Sequence, residues 1–303
     1  MSFRTPRLAA LALSLAALAG CDTTPMAGQF DFQDSWRGAL TDQTYAVGAD
    51  MDIIVYGPST FDMNSTVART VGVDGGEPVR LNRTEPFPEF SCIVTSGEAE
   101  VPGDGRIAVA DKLTRRPLDI VDVRTDSIDG IGLGRGINQW NGTLDTELGG
   151  DILVVAGGVT AFGAAPTNAE GEVLSGNLPM TASFTGGEIE TWDGVVQLWN
   201  PADGIIDLSL GDERAQVNVA TVEPSEIVEL QVERKQMGAR GDMNELSGET
   251  LLLVNGITAD GDSVLGLQAD WTIDGWDYGT GDQIWSWDGD TGRVCWNGLC
   301  SNF

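Results

Sequence analysis

Asp104-Gly105-Arg106-Ile107-Ala108-Val109 and, 99 positions later, Asp203-Gly204-Ile205-Ile206-Asp207-Leu208 follow one pattern: an Asp-Gly turn that opens directly into a strand. The same offset carries Ile128, Ile131 and Leu133 onto Ile227, Leu230 and Val232. A second repeat, offset by 90, relates Ala169-Glu170-Gly171-Glu172 and Gly176 to Ala259-Asp260-Gly261-Asp262 and Gly266. One offset shared by separated segments signals an array of similar units. Units of about 90–100 residues suit a sandwich of two packed β-sheets, so the chain is expected to be all-β and to hold more than one sandwich.

Strand signals continue outward from this pair. Ala46-Val47-Gly48-Ala49 leads into Met51-Asp52-Ile53-Ile54-Val55-Tyr56, which Gly57-Pro58 ends. Val67 to Val73, Pro78 to Leu81 and Leu118-Asp119-Ile120-Val121-Asp122-Val123 follow, the last behind a Thr114-Arg115-Arg116-Pro117 turn. Short strands between polar turns are the sandwich signature. Glu226 to Lys235 is the best helical candidate, although Ile227, Leu230 and Val232 suit a strand equally well. Gly130-Ile131-Gly132-Leu133-Gly134-Arg135-Gly136 lacks the Lys-Ser/Thr of a phosphate loop and reads as an inter-domain strand and hinge.

Composition narrows the chemistry. The 303 residues include 40 glycines and no histidine, and the formal net charge is -29. Without histidine there is no Ser-His-Asp or Cys-His catalysis, no His-ligated zinc and no imidazole base. So acidic a surface repels nucleic acid, which is excluded as a partner. Solubility is the plainest reason for the charge. Of the four cysteines, Cys295 and Cys300 flank Trp296-Asn297-Gly298-Leu299. Asn-Gly is a strong hairpin turn, so a small disulfide loop across a terminal hairpin is expected in an oxidising compartment. Cys92 is then left as a buried free thiol.

Each unit opens with a strand pair, carries a mid-domain Asp-Gly strand, and ends on a Val-rich strand running into Ile-x-x-Ile or Ile-x-x-Leu. In this the chain resembles the bacterial immunoglobulin-like (Big) domains of exported lipoproteins and adhesins. The resemblance implies tandem immunoglobulin-like β-sandwiches used as a stalk, spacer or binding surface, with no family-wide catalytic residues. The expected units are 40–130, 131–226 and 227–303. The third departs from the pattern. It is short and Trp-rich, it closes on the Cys295/Cys300 loop, and it reads as a truncated unit.

The N-terminal segment has its own logic. Arg4 and Arg7 precede Leu8 to Ala19, twelve residues of Leu, Ala and one Ser, and Leu18-Ala19-Gly20-Cys21 closes the run. That length falls short of the about 20 apolar residues needed to span a bilayer. A basic start, a short apolar run and small residues before a cut form the signal-peptide pattern. This arrangement resembles a bacterial lipoprotein signal with its lipobox. The resemblance implies that residues 1–20 are removed and that the Cys21 thiol carries lipid. Residues 22–42 read as a tether plus a first strand, with 21–39 as the lipidated tether, and the domains would sit at the cell envelope, facing periplasm or cell surface from a lipid bilayer. An ordinary secretory signal with an incidental cysteine is the alternative.

Two constellations are candidates for binding. Trp271, Trp276, Trp285, Trp287 and Trp296 put five of the nine tryptophans in the last 33 residues, interleaved with Asp270, Asp274, Asp277, Asp282, Asp288 and Asp290. Aromatic platforms beside carboxylates bind sugars or cations. Trp271 and Trp285 read as core, whereas Trp276 and Trp287, beside Asp-Gly turns, and Tyr278 are the candidate ligand-binding residues. Asp288-Gly289-Asp290-Thr291-Gly292 begins like a calcium loop, with Asp288 and Asp290 as candidate ligands of a structural calcium. Gly292 stands where the third ligand belongs and no glutamate closes the loop, so a tight turn is the simpler reading, as for Asp260-Gly261-Asp262. Arg240-Gly241-Asp242 is an integrin-type tripeptide to which no function is given. The expectation is a membrane-anchored, non-enzymatic array, structural or adhesive, with an unidentified protein or glycan partner and the tryptophan-rich unit at its free end. The alternative is a carbohydrate-binding or glycoside-hydrolysing lipoprotein using tryptophans and paired carboxylates.

Overall fold

The computed structural model describes residues 30–34, 38–58, 62–71, 77–137, 144–192, 194–236, 249–287 and 289–303. Cys21, the expected lipidation residue, the expected signal segment, Arg240-Gly241-Asp242 and Asp288 lie outside them. No helix among the described residues is long and apolar enough to cross a membrane.

Unit 1 contains β1 (Asp31–Asp34), β2 (Gly38–Ala39), β3 (Thr44–Ala46), β4 (Asp50–Tyr56), β5 (Thr66–Thr70), β6 (Val79–Phe87), β7 (Cys92–Ala99), β8 (Gly103–Asp111) and β9 (Pro117–Asp126). One sheet has the order β2-β1-β4-β7-β6 and the other β3-β9-β8-β5. All pairs are antiparallel except β3 with β9. Alternation explains the packing. Met51, Ile53 and Val55 on β4 face Ile107 and Val109 on β8 across a buried core, while Asp52 and Ile54, between them on β4, are turned to its other side. The first strand expected within residues 22–42 is β1, which lies inside the stretch 21–39 assigned to the tether, so that stretch is partly fold. Phe30 and Phe32 are buried in this core, and β1 pairs with β4, because two large apolar side chains on one face of a strand must be covered.

Unit 2 contains β10 (Gly130–Ile137), β11 (Leu144–Glu147), β12 (Asp151–Val155), β13 (Val159–Thr167), β14 (Met180–Phe184), β15 (Glu188–Trp192), β16 (Val195–Trp199), β17 (Gly204–Leu210) and β18 (Glu213–Val222). Its sheets, β11-β10-β13-β16-β15 and β12-β18-β17-β14, repeat the order of unit 1, including a parallel pair, β12 with β18. This is the immunoglobulin-like sandwich order. The glycine-rich run is a strand, as expected, but not a hinge: as β10 it lies hydrogen-bonded between β11 and β13.

Unit 3 contains β19 (Ile227–Gln236), β20 (Glu249–Thr258), β21 (Ser263–Val264), β22 (Ala269–Ile273), β23 (Trp276–Gly281), β24 (Gln283–Trp287), β25 (Gly292–Trp296) and β26 (Leu299–Asn302). The stretch that competed as a helix is thus the strand β19. Both sheets are present: β19, β21 and β24 pair with β20, and the second sheet runs β23-β22-β25-β26. One strand has moved. The element after β5 or β14 joins the opposite sheet in units 1 and 2, but β23 stays beside β22. The cause is the turn. Asp274 and Gly275 both have positive φ, 49° and 84°, a two-residue hairpin that returns the chain into the same sheet.

The sequence repeats fall on equivalent elements. The two Asp-Gly runs lead β8 and β17, and the Ile/Leu repeat marks β10 and β19. The repeat at offset 90 marks the connections that follow β13 and β20, and these form the joints. Ser175 bridges to Tyr45 in parallel, with Ala46 N–H donating to Ser175 O at 2.9 Å and Ser175 N–H to Thr44 O at 2.7 Å. Leu265 bridges to Val154 in the same way, with Val155 N–H donating to Leu265 O and Leu265 N–H to Leu153 O, both at 2.9 Å. Each unit thus meets the next by adding a short parallel bridge to β3 or β12.

Candidate functional site

The strand directions of unit 3 separate its aromatic residues into two groups. The connection between β20 and β22 touches unit 2, so the end of β20 and the start of β22 face that unit. The opposite end carries Glu249 with its partner Trp287, and Ile273 with its partners Trp276 and Gly292. Phe303 closes on Gly292 through two backbone hydrogen bonds of 3.1 Å. The far end of the unit therefore presents Trp276 and Trp287, 75% and 52% exposed.

Trp271, by contrast, is fully buried in the core. Its Nε1–H donates to Gly281 O at 2.9 Å, and its ring meets Phe303 edge-on at 5.6 Å. Arg234 lies over the other partner of this pair, 5.4 Å from the Phe303 centroid, and donates from Nη2 to Asp290 O at 2.5 Å. Trp285 departs from expectation. It is 44% exposed, because strand alternation sends Ile284 and Ser286 inward and Trp285 and Trp287 outward. Tyr278, 48% exposed, sits at a bulge: Trp271 pairs with Gly279 and Thr272 with Asp277, leaving the tyrosine without an opposite residue.

The carboxylates at this end are largely engaged in turns. Asp290 Oδ2 accepts from Trp287 N–H and from Ser286 Oγ–H, both at 2.8 Å. The Trp287 amide, and then the Ser286 hydroxyl, hold its carboxyl below the ordinary carboxylate range. Asp274 Oδ1 accepts from Thr291 N–H at 3.4 Å, tying the β22–β23 turn to the turn before β25. Among the described residues no three His, Cys, Asp or Glu side chains converge to hold a metal ion. In the second Asp-Gly-Asp motif, Gly261 N–H donates to Thr258 O at 3.0 Å with the glycine at φ 90°, which is turn geometry.

Cys295 and Cys300 are disulfide-bonded directly opposite each other on β25 and β26. The bond is not at the aromatic end. Cys295 pairs with Asp270, at the start of β22, so it staples the end that faces unit 2. Cys92 is a buried free thiol whose pKa burial pushes up.

Sequence reasoning did not single out Arg135. It is 2% exposed, projecting from β10 at the junction of units 2 and 3. Its Nη1 donates to Asn255 Oδ1, and Nη2 donates to Asp282 O at 3.3 Å and lies 3.6 Å from Asp282 Oδ2. Thr160 Oγ1–H donates to the same carboxylate oxygen at 2.8 Å. Burial pulls the Arg135 pKa down and pushes the Asp282 pKa up, each opposed by the partner's charge. The available signal was its phase: Arg135 shares the inward side of β10 with Ile131 and Leu133. Trp192 and Trp199, also exposed, are further aromatic residues outside the candidate set.

No protein-family model matches the sequence, and no curated protein matches it. Among solved structures, the chain is similar to domains 4–9 of the surface layer protein SbsC, at 12% identity and TM-score 0.36 over 91% of this chain and 46% of that one. It is similar to the Escherichia coli adhesin FdeC, at 13% identity and TM-score 0.25 over 90% of this chain and 96% of that one. A third likeness is to Yersinia pseudotuberculosis InvD, at 10% identity and TM-score 0.23 over 91% and 84%. The chain spans less than half of the first of these structures.

Proposed function

We propose that this chain is a non-enzymatic array of immunoglobulin-like sandwiches, anchored by lipid on Cys21 at the bacterial cell envelope, that carries the aromatic end of unit 3 away from the membrane as an adhesive or binding surface. The observation that supports it most is the repeated joint. Ser175 on Thr44 and Ala46, and Leu265 on Leu153 and Val155, follow one bonding pattern, so the units succeed each other in the same sense. Lipid at residue 21 would hold the unit 1 end and leave Trp276 and Trp287 at the other.

A glycan is the favoured ligand class because Trp276, Tyr278 and Trp287 are large aromatic side chains left in water, where burial is the norm. The test combines anchoring and reach. A fatty-acid analogue should label the wild type but not Cys21→Ser, and the variant should move from the membrane to the soluble fraction. The released protein should scatter X-rays as an elongated particle. Retention of Cys21→Ser in the membrane, or a globular scattering profile, would overturn the reading.

A further inference from the structure

The two joints share a bridge but differ in how they are packed. Between units 1 and 2 the apolar seam is small and self-contained: Ala46, Ala49 and Leu174, with Ile128 and Leu178 at its margin. Between units 2 and 3 the cores interpenetrate. Leu265 of unit 3 belongs to the core of unit 2, while Val155 and Val222 of unit 2 belong to the core of unit 3, with Leu153 packed against it. The side-chain polar contacts differ in the same direction, while the first joint adds a second backbone bridge: Asp50 N–H donates to Asn177 O at 3.0 Å and Asn177 N–H to Asp50 O at 2.8 Å. The first joint has Ser175 Oγ–H donating to Gln43 Oε1 at 2.6 Å and Asn168 Nδ2–H to Asp126 Oδ2 at 3.1 Å. The second has a buried ion pair, Arg135 with Asp282, whose members come from different units and are bonded further to Asn255 and Thr160.

We propose that units 2 and 3 are one body, locked in a single orientation by the Arg135–Asp282 pair, and that the chain opens and bends at the joint between units 1 and 2. A shared apolar core alone tolerates sliding, because apolar contact is non-directional. Arg135 makes its Nη1 and Nη2 hydrogen bonds to Asn255 and Asp282 in one geometry, and separating the units strands both charges. The array then has a compliant point near its membrane side and a stiff distal pair, a division of labour that holds whatever the distal end binds.

Hydrogen exchange on the full-length wild-type chain in detergent micelles tests this without a mutation. Val155 and Leu265 amides should exchange about a hundredfold or more slowly than those of Ala46, Ser175 and Asn177, because only the second set is released by opening a joint alone. Calorimetry of the same sample should show two transitions, unit 1 and units 2 with 3. Asp282→Asn, which leaves the buried arginine unpaired, should divide the second transition in two, and Arg135→Met combined with Asp282→Asn should draw the halves back together. Equal exchange at the two joints, a separate melting of unit 3 in the wild type, or an undivided transition in Asp282→Asn would each overturn the proposal. Should the variant not fold, the wild-type exchange rates decide.

Discussion

Trp271 and Trp276 sit five positions apart and have opposite fates. Trp271 lies mid-strand on the inner face of β22, with its Nε1–H bonded to Gly281 O. Trp276 follows the Asp274-Gly275 turn, where the sheet has run past its core. Truncation should therefore divide them. Trp271→Ala should cost about 3–5 kcal/mol, enough to threaten unit 3. Trp276→Ala should change stability by no more than about 0.5 kcal/mol. Urea unfolding of the two variants checks this, and similar midpoints would contradict the assigned burial. Residue type and local turn signals were enough to separate these two. They were not enough for Trp285, whose exposure follows from its phase on β24, nor for Arg135, whose partner lies 147 positions away.

At the scale of elements, turns decide more than strands do. The strand after β22 stays in its sheet because a two-residue turn returns it there, whereas the longer connection after β14 crosses to the other sheet. The turn before β25 is set by Asp290, and its hydrogen bonds make it pH-dependent. The folded pKa lies below the ordinary carboxylate range because Trp287 N–H and Ser286 Oγ–H donate to the charged form. A depressed carboxylate stabilises the fold above the unfolded pKa and loses that contribution as pH falls through the folded one. The Trp287 amide resonance should thus be stationary at neutral pH and move at a midpoint below the ordinary carboxylate range, while Asp290→Asn should alter it at all pH values. A midpoint at or above the ordinary carboxylate value would refute the assigned bonds. Strand positions were largely legible, since alternation of apolar and polar residues is local. The sheet that each strand joins was not, because pairing depends on how the chain returns.

For the whole molecule, the joints rather than the sandwiches set how the units follow one another. Gly176 is the narrowest point of the first joint. Its φ is +110°, and a Cβ there would overlap that of Ala49. Gly176→Ala should uncouple unit 1 from unit 2 without lowering the melting of units 2 and 3. A broader small-angle scattering profile and new protease cleavage between residues 126 and 130 would show it; an unchanged profile would argue that the bridge at Ser175 is dispensable.

The sequence alone determined the all-β class, the approximate repeat length, the Cys295/Cys300 pairing and the absence of imidazole chemistry, because each depends on residue type and near neighbours. It also located the joints without revealing what they were: the repeat at offset 90 is the segment with which one unit grips the one before it. Only the tertiary structure decided that β23 stays in the sheet of β22, that the disulfide staples the end facing unit 2, that Trp285 is outward, and that Arg135 and Asp282 form a buried pair between two units. Those facts join residues far apart in the chain, and long-range contacts arise from packing, which local pattern does not encode.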